Sequence, residues 1–180
     1  MRLLAISGSL RAASSNTLLI EALGDLGVPG LEVEVYRGLG QLPHFNPDLD
    51  GDAIATVRAL RQAVGRADGL ILCSPEYAHG VAGVMKNALD WLVPSLEFPQ
   101  TPVALLNTAP HAHHAQAHIR DTLAVMQARI VEEASVTVSL HGRSSVDAIL
   151  ADEALAATVR AALSTFTAAI TALPAKPTWA

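Results

Sequence analysis

Apolar residues in this chain recur with two periods that alternate from end to end, and that alternation restricts the fold more than any other feature. Short, nearly continuous apolar runs, the pattern of strands buried on both faces, occupy residues 2–7, 31–36, 68–74, 101–108 and 135–139. Between and after them apolar residues return at spacings of three and four, the period of an amphipathic helix. Leu18, Leu19, Ala22, Leu23 and Leu26 make the first such set, and Val57, Leu60 and Val64 the second. Val84, Met85, Ala88, Leu89 and Leu92 follow, then Ile119, Leu123, Met126 and Ile130, then Leu155, Val159, Ala162, Phe166, Ile170 and Leu173. Strands and helices in strict alternation predict a parallel sheet with helices on both faces.

Right-handed crossovers leave few ways to wind such a chain. The leading one is an α/β, flavodoxin-like three-layer sandwich whose five-stranded parallel sheet has the order 2-1-3-4-5. In that order the turns after strands one and three flank the topological switch point, where ligands bind. A length of 180 residues suits one domain, expected over residues 1–173, with a loosely held tail at 174–180 from which Trp179 is free to dock on a neighbouring subunit. The irregular stretch 37–50, stiffened by Pro43 and Pro47, is a surface connection, a lid or an oligomer contact.

Composition removes several function classes. A hydrophobic content of 51% is far above that of a disordered chain, and a net charge of −5 without a Lys/Arg cluster argues against a nucleic-acid partner. Cys73 is the only cysteine, so there is neither an intrachain disulfide nor a cysteine zinc site, and its apolar surroundings mark a buried structural thiol. No run is read as a membrane span or a leader, so a soluble cytoplasmic protein is expected.

The turn after strand one reads Gly8-Ser9-Leu10-Arg11-Ala12-Ala13-Ser14-Ser15-Asn16. A strand entering a helix aims free N–H groups and the positive end of the helix dipole at whatever lies above the turn. Ser9, Arg11, Ser14, Ser15, Asn16 and Thr17 add side-chain donors, with no Asp or Glu to repel an anion. The plainer reading is that Ser14 or Ser15 caps the helix and Arg11 is a solvated charge. Neither a Walker loop nor a G-x-G-x-x-G fingerprint is present, which disfavours ATP, GTP and tightly bound NAD. A compact phosphate monoester such as the tail of FMN suits the loop.

After strand three comes Ser74-Pro75-Glu76-Tyr77-Ala78-His79-Gly80-Val81-Ala82-Gly83-Val84-Met85-Lys86-Asn87-Ala88-Leu89-Asp90-Trp91. Pro75 stiffens this segment, while Gly80 and Gly83 allow main-chain N–H groups to approach the polar edge of a planar ligand. A rigid turn leading into a core helix would explain the same residues, but not their place beside the Arg11 loop.

Together G-S-L-R-x-x-S-x-N and P-E-Y-x-x-G-V-x-G-x-x-K-N-A-L-D-W resemble the NADPH-dependent FMN reductase family, which includes quinone, azo-dye and chromate reductases. The resemblance implies that Ser9, Arg11, Ser14, Asn16 and Thr17 hold the FMN phosphate, and that Pro75, Glu76, Tyr77 and the backbone of Ala78, His79 and Gly80 line the isoalloxazine. Two departures stand out. Ala78 occupies a position where the family often has Asn, and a Ser- and Gly-rich turn is replaced by Asn107-Thr108-Ala109-Pro110-His111-Ala112-His113-His114, from which Thr108 is expected to touch the flavin.

His111, His113, His114 and His118 lack a nearby acidic or thiol ligand before Asp121, so they are read as a His-rich loop and not as a metal site. His79 is placed near the ring edge, where it shapes the substrate site with Tyr77. No catalytic dyad or triad stands out, and a flavin enzyme needs none. The expected activity is hydride transfer from NADPH through bound FMN to a quinone, azo compound or similar acceptor in a ping-pong cycle, by a homodimer or homotetramer. Alternatives are a reductase that releases free reduced FMN to a partner, a flavodoxin-type electron carrier, and a flavin-binding regulatory protein.

Overall fold

The computed structural model describes residues 1–174, so the expected tail with Trp179 lies outside the described residues, Pro174 apart. Eight strands form there: β1 (Arg2–Ser7), β2 (Glu32–Tyr36), β3 (Gly69–Cys73), β4 (Glu76–Tyr77), β5 (Gly80–Val81), β6 (Pro102–Asn107), β7 (Arg129–Ile130) and β8 (Val136–Thr137). The helices are α1 (Ser15–Ala22), α2 (Ala55–Arg66), α3 (Gly83–Leu92), α4 (His113–Val125), α5 (Val146–Leu150) and α6 (Glu153–Ala172).

The main sheet runs β2-β1-β3-β6-β7, with β8 also paired to β6, and every pair in it is parallel. This is the 2-1-3-4-5 order, with the fifth position shared between β7 and β8. The expected strand at 135–139 is reduced to β8, and β7 precedes it across a 3-10 turn at Glu132–Ala134; β7 contains Ile130, which the spacing had assigned to the fourth helix, but α4 ends at Val125. Ser135 explains how the break is tolerated. Its Oγ accepts from the Leu105 N–H at 3.0 Å and donates to the Val131 carbonyl at 3.0 Å, so a side chain stands in for the missing ladder partner.

Side chains alternate across the strands, and the two faces bury different helices. Leu3, Ala5, Ile71, Cys73, Ala104 and Leu106 face the layer built from α1, α5 and α6, including Leu19, Ile149, Val159 and Phe166. Leu4, Ile6, Leu70, Leu72, Val103 and Leu105 face α2, α3 and α4, including Leu60, Trp91 and Leu123. Strands covered on both sides have no polar face, which is why they read as unbroken apolar runs.

Helix α6 is long and apolar enough to cross a membrane by length and composition, with a mean hydropathy of 1.3, which the sequence reading did not anticipate. Its Leu155, Val159, Ala162, Leu163 and Phe166 are buried, as in the core helix of a layered domain.

The α3 part of the second motif has a structural job. Asn87 accepts from the Phe45 N–H at 2.7 Å and donates to the Pro43 carbonyl at 2.9 Å, and Trp91 Nε1 donates to the same carbonyl at 2.8 Å. Phe45 packs edge-on against Trp91 with ring centroids 5.1 Å apart. One face of α3 thus straps down the irregular stretch after β2, while Met85, Ala88, Leu89 and Leu92 fill the core. Asn87→Ala removes two of these hydrogen bonds and should cost about 1–3 kcal/mol, measured as a lower urea midpoint with unchanged slope. An unchanged midpoint would contradict the strap.

Candidate functional site

The register of the central strands decides where the two motifs end up. Leu3 pairs with Gly69 and Ser7 with Cys73, so β1 and β3 finish at the same level. The next residues meet: the Gly8 N–H donates to the Cys73 carbonyl at 2.8 Å. A Cβ on Gly8 would lie 2.5 Å from Ser74 Oγ and 2.9 Å from its Cβ, so only glycine lets the two loops approach this closely.

Above this contact the β1–α1 loop turns its donors outward. Ser14 caps α1 by accepting from the Thr17 N–H at 3.3 Å. Ser9 Oγ accepts from the Arg11 N–H at 3.3 Å, and Ser7 Oγ lies 2.9 Å from Thr17 Oγ1. A hydroxyl that accepts from the backbone keeps its own O–H to donate, so Ser9 and Ser14 shape the loop and remain available to an anion. The N–H groups of Ser15 and Asn16, in the first turn of α1, have no backbone partner. The Arg11 guanidinium makes no hydrogen bond or ion pair within the described residues. Ser14 therefore is a cap, as the plainer reading had it, while Arg11 is a cation without a partner at the mouth of the loop.

A cleft of about 270 Å³ opens on the β2 side of this loop and is lined by Ser9, Arg11, Thr17, Glu21, Tyr36 and Arg37, among others. Glu21 is neutralised there by Arg37 at 2.9 Å. The cleft does not include residues 75–80, which lie on the β3 side of the loop.

Residues 76–81 form a small antiparallel hairpin, β4–β5, which the sequence reading treated as a loop. Its two-residue turn holds Ala78 at φ 49° and His79 at φ 60°, the left-handed region that side chains avoid. The N–H groups of Ala78 and His79 donate to no backbone acceptor, so a strained turn presents two unused main-chain donors. Tyr77 is 59% exposed beside them.

The Glu76 side chain points away from this edge. Its Oε2 accepts from the Ala115 N–H at 2.8 Å, in the first turn of α4. That bond holds the Glu76 carboxyl below the usual range; burial opposes it, and the nearby His114, His79 and His113 each add a smaller lowering. The expected His-rich loop is mostly helix, because α4 starts at His113. Its preceding residue, Ala112, provides no side-chain cap, and the Glu76 carboxylate arrives from another element to do that work. His79 stacks on His114 with centroids 4.3 Å apart, and His114 lies 4.6 Å from His113. No group of three or more His, Cys, Asp or Glu is placed to hold a metal among the described residues.

The loop is tied to the ends of β3 and β6 through Asn16. Its Oδ1 accepts from Cys73 Sγ at 3.1 Å and from Thr108 Oγ1 at 3.2 Å. Of the residues singled out in the sequence, Ser9, Arg11, Ser14, Ser15, Asn16 and Thr17 share one loop and helix start, while Pro75, Glu76, Tyr77, Ala78, His79 and Gly80 share the strand-three turn and hairpin. Thr108 spends its hydroxyl on Asn16. Gly8, Ser7, Cys73 and Ser74 complete the junction and were missed as site residues. Only the place of Gly8 and Ser74, each directly after a central strand, hinted at them.

The arrangement offers an anion a cation, unused helix-start N–H groups and hydroxyls, and, in the hairpin, main-chain donors next to the exposed Tyr77. These donors fit the phosphate and polar ring edge of FMN. Comparison with known proteins gives the same direction. The sequence profile described as NADPH-dependent FMN reductase matches residues 1–142. A 2-hydroxy-1,4-benzoquinone reductase from Burkholderia sp is 31% identical over 156 residues, covering 82% of this chain and 83% of its own length. An NADPH:quinone oxidoreductase from Arabidopsis thaliana is 34% identical over 147 residues, covering 77% and 74%. The solved structure of a flavoenzyme NAD(P)H:(acceptor) oxidoreductase from Paracoccus denitrificans superposes with a TM-score of 0.84 at 28% identity, covering 95% of this chain and 97% of that one.

The lowered pKa of Glu76 carries a pH dependence. Its stabilisation is present above the ordinary glutamate pKa and is lost as pH falls through the lowered folded-state value. Glu76→Gln should therefore be less stable than the unsubstituted protein at neutral pH and converge with it in acid, read from denaturant midpoints across pH. A gap that stays constant with pH would show that the carboxylate charge plays no part.

Proposed function

The chain belongs to the NADPH-dependent FMN reductase family, and from that premise we propose that it carries hydride from NADPH, by way of bound FMN, to a quinone, azo compound or similar acceptor in a ping-pong cycle. It is an oxidoreductase dependent on FMN and NAD(P)H. When bound, FMN supplies the hydride chemistry, and the protein supplies position and electrostatics.

The observation that carries this reading is the set of unused donors at the switch point. Arg11, the Ser9 and Ser14 hydroxyls and the Ser15 and Asn16 N–H groups hold the phosphate, with Thr17 fixing the loop through Ser7. Pro75 and the main chain of Glu76 to Gly80 line the ring, where the Ala78 and His79 N–H groups favour negative charge on its polar edge. Tyr77 and His79 bound the space above that edge, which NADPH and the acceptor use in turn. Thr108 supports Asn16 from the opposite wall.

Exposed Val93, Leu96 and Val125, near the ends of α3 and α4, support burial between copies in a homodimer or homotetramer. Use of NADPH is consistent with a cytoplasmic location.

Arg11→Ala should weaken FMN binding by about 1–3 kcal/mol, the range for losing a charged hydrogen-bond partner, without lowering the melting temperature of the flavin-free protein. The same titration on unsubstituted protein, followed by steady-state rates at several NADPH and quinone concentrations, should give parallel double-reciprocal lines. Unchanged FMN affinity in the variant would sink the phosphate loop, and intersecting lines would sink the shared-site cycle.

A further inference from the structure

Asn16 is buried, at 7% exposure, yet only half of its carboxamide is engaged. Its Oδ1 takes two donors from the ends of two different strands: the Cys73 thiol, from the last residue of β3, and the Thr108 hydroxyl, just past β6. Its Nδ2 makes no hydrogen bond within the described residues. Since no fully buried side-chain nitrogen or oxygen there lacks a partner, Nδ2 keeps access to solvent. The amide lies in the first turn of α1, beside the unused Ser15 and Asn16 N–H groups.

A carboxamide can sit either way round, and its neighbours decide which way is populated. Complete burial of Cys73 among apolar residues raises its thiol pKa, so it stays a protonated S–H donor at any physiological pH. Sulfur is a poor acceptor, so the reversed amide would aim an N–H at the thiol and leave Oδ1 facing the anion site. The Thr108 hydroxyl adds a second donor to the same oxygen. Thiol and hydroxyl together therefore set the amide with its NH₂ outward, before any ligand arrives.

We propose that Cys73 and Thr108 are positioning residues that lock the Asn16 carboxamide so that Nδ2 donates to the phosphate of FMN, giving the site a preference for FMN over riboflavin. This rests on the FMN reading above and adds to it a role for a thiol that takes no part in the chemistry. A donor held in place by two bonds loses little rotational freedom when the anion binds, which is where the gain arises.

The test is a pair of fluorescence-quenching titrations, with FMN and with riboflavin, on the full chain and on Cys73→Ala, Cys73→Ser, Thr108→Val and Thr108→Ser, alongside melting temperatures without flavin. Cys73→Ala and Thr108→Val should each weaken FMN about 5- to 10-fold, near the value of the one neutral hydrogen bond that each removes, and leave riboflavin unchanged. Both serine variants keep a hydroxyl donor and should restore most of the FMN affinity. Equal losses for the two flavins, or lower melting temperatures with an intact FMN preference, would overturn the proposal. Should Cys73→Ala fail to fold, Thr108→Val at its partly buried position decides alone. Absence of FMN binding by the unsubstituted protein would defeat the functional reading and this inference together. FMN binding that neither variant disturbs would defeat this inference only.

Discussion

The close approach of Gly8 to Ser74 is the constraint on which the site depends. Parallel pairing in register brings β1 and β3 to the same height, and the absence of a side chain at Gly8 lets the chain continue past Ser74 without separating the strands. Everything above follows from that junction. The β1–α1 loop carries the anion donors, the β4–β5 hairpin carries the main-chain donors, and Asn16 ties the first to the ends of β3 and β6. A rigid sheet covered on both faces supplies the platform, so the loops can be polar and strained without weakening the core.

The site is organised around donors with no acceptor in the protein. Acidic groups near it are already engaged: Glu21 by Arg37, and Glu76 by the start of α4. The latter also anchors the hairpin. By accepting from Ala115, Glu76 ties β4 to α4, and the His79–His114 stack adds a second tie from the turn itself. These contacts hold the Ala78–His79 turn in a left-handed conformation that its residues do not favour by themselves.

How much was legible in the sequence depended on whether the cause was local. The central strands were readable because burial on both faces leaves only apolar residues, and the α3 and α6 faces because their spacings are long and regular. The fifth position was only partly readable: β8 lies within the expected 135–139, while β7 was taken for the end of a helix, because the break between them is repaired by the Ser135 side chain, which no periodicity records. The start of α4 was misjudged because its cap comes from Glu76 in another element. Ala78-His79 lacks the Asn-Gly chemistry that announces a tight hairpin, so β4 and β5 were invisible. The Arg11 loop was readable as a polar turn from a strand into a helix start, since the three are adjacent in sequence. The Cys73–Asn16–Thr108 link joins residues far apart in the chain and became visible only in three dimensions.

The central claim is that the switch point holds an FMN that accepts hydride from NADPH. Its most direct measurement is the visible absorption spectrum of the purified protein, loaded with FMN and freed of excess, before and after anaerobic addition of NADPH. The account predicts flavin bands that stay with the protein after excess FMN is removed and bleach with one equivalent of NADPH. A protein that takes up no flavin, or whose flavin bands are unchanged by NADPH, would contradict it.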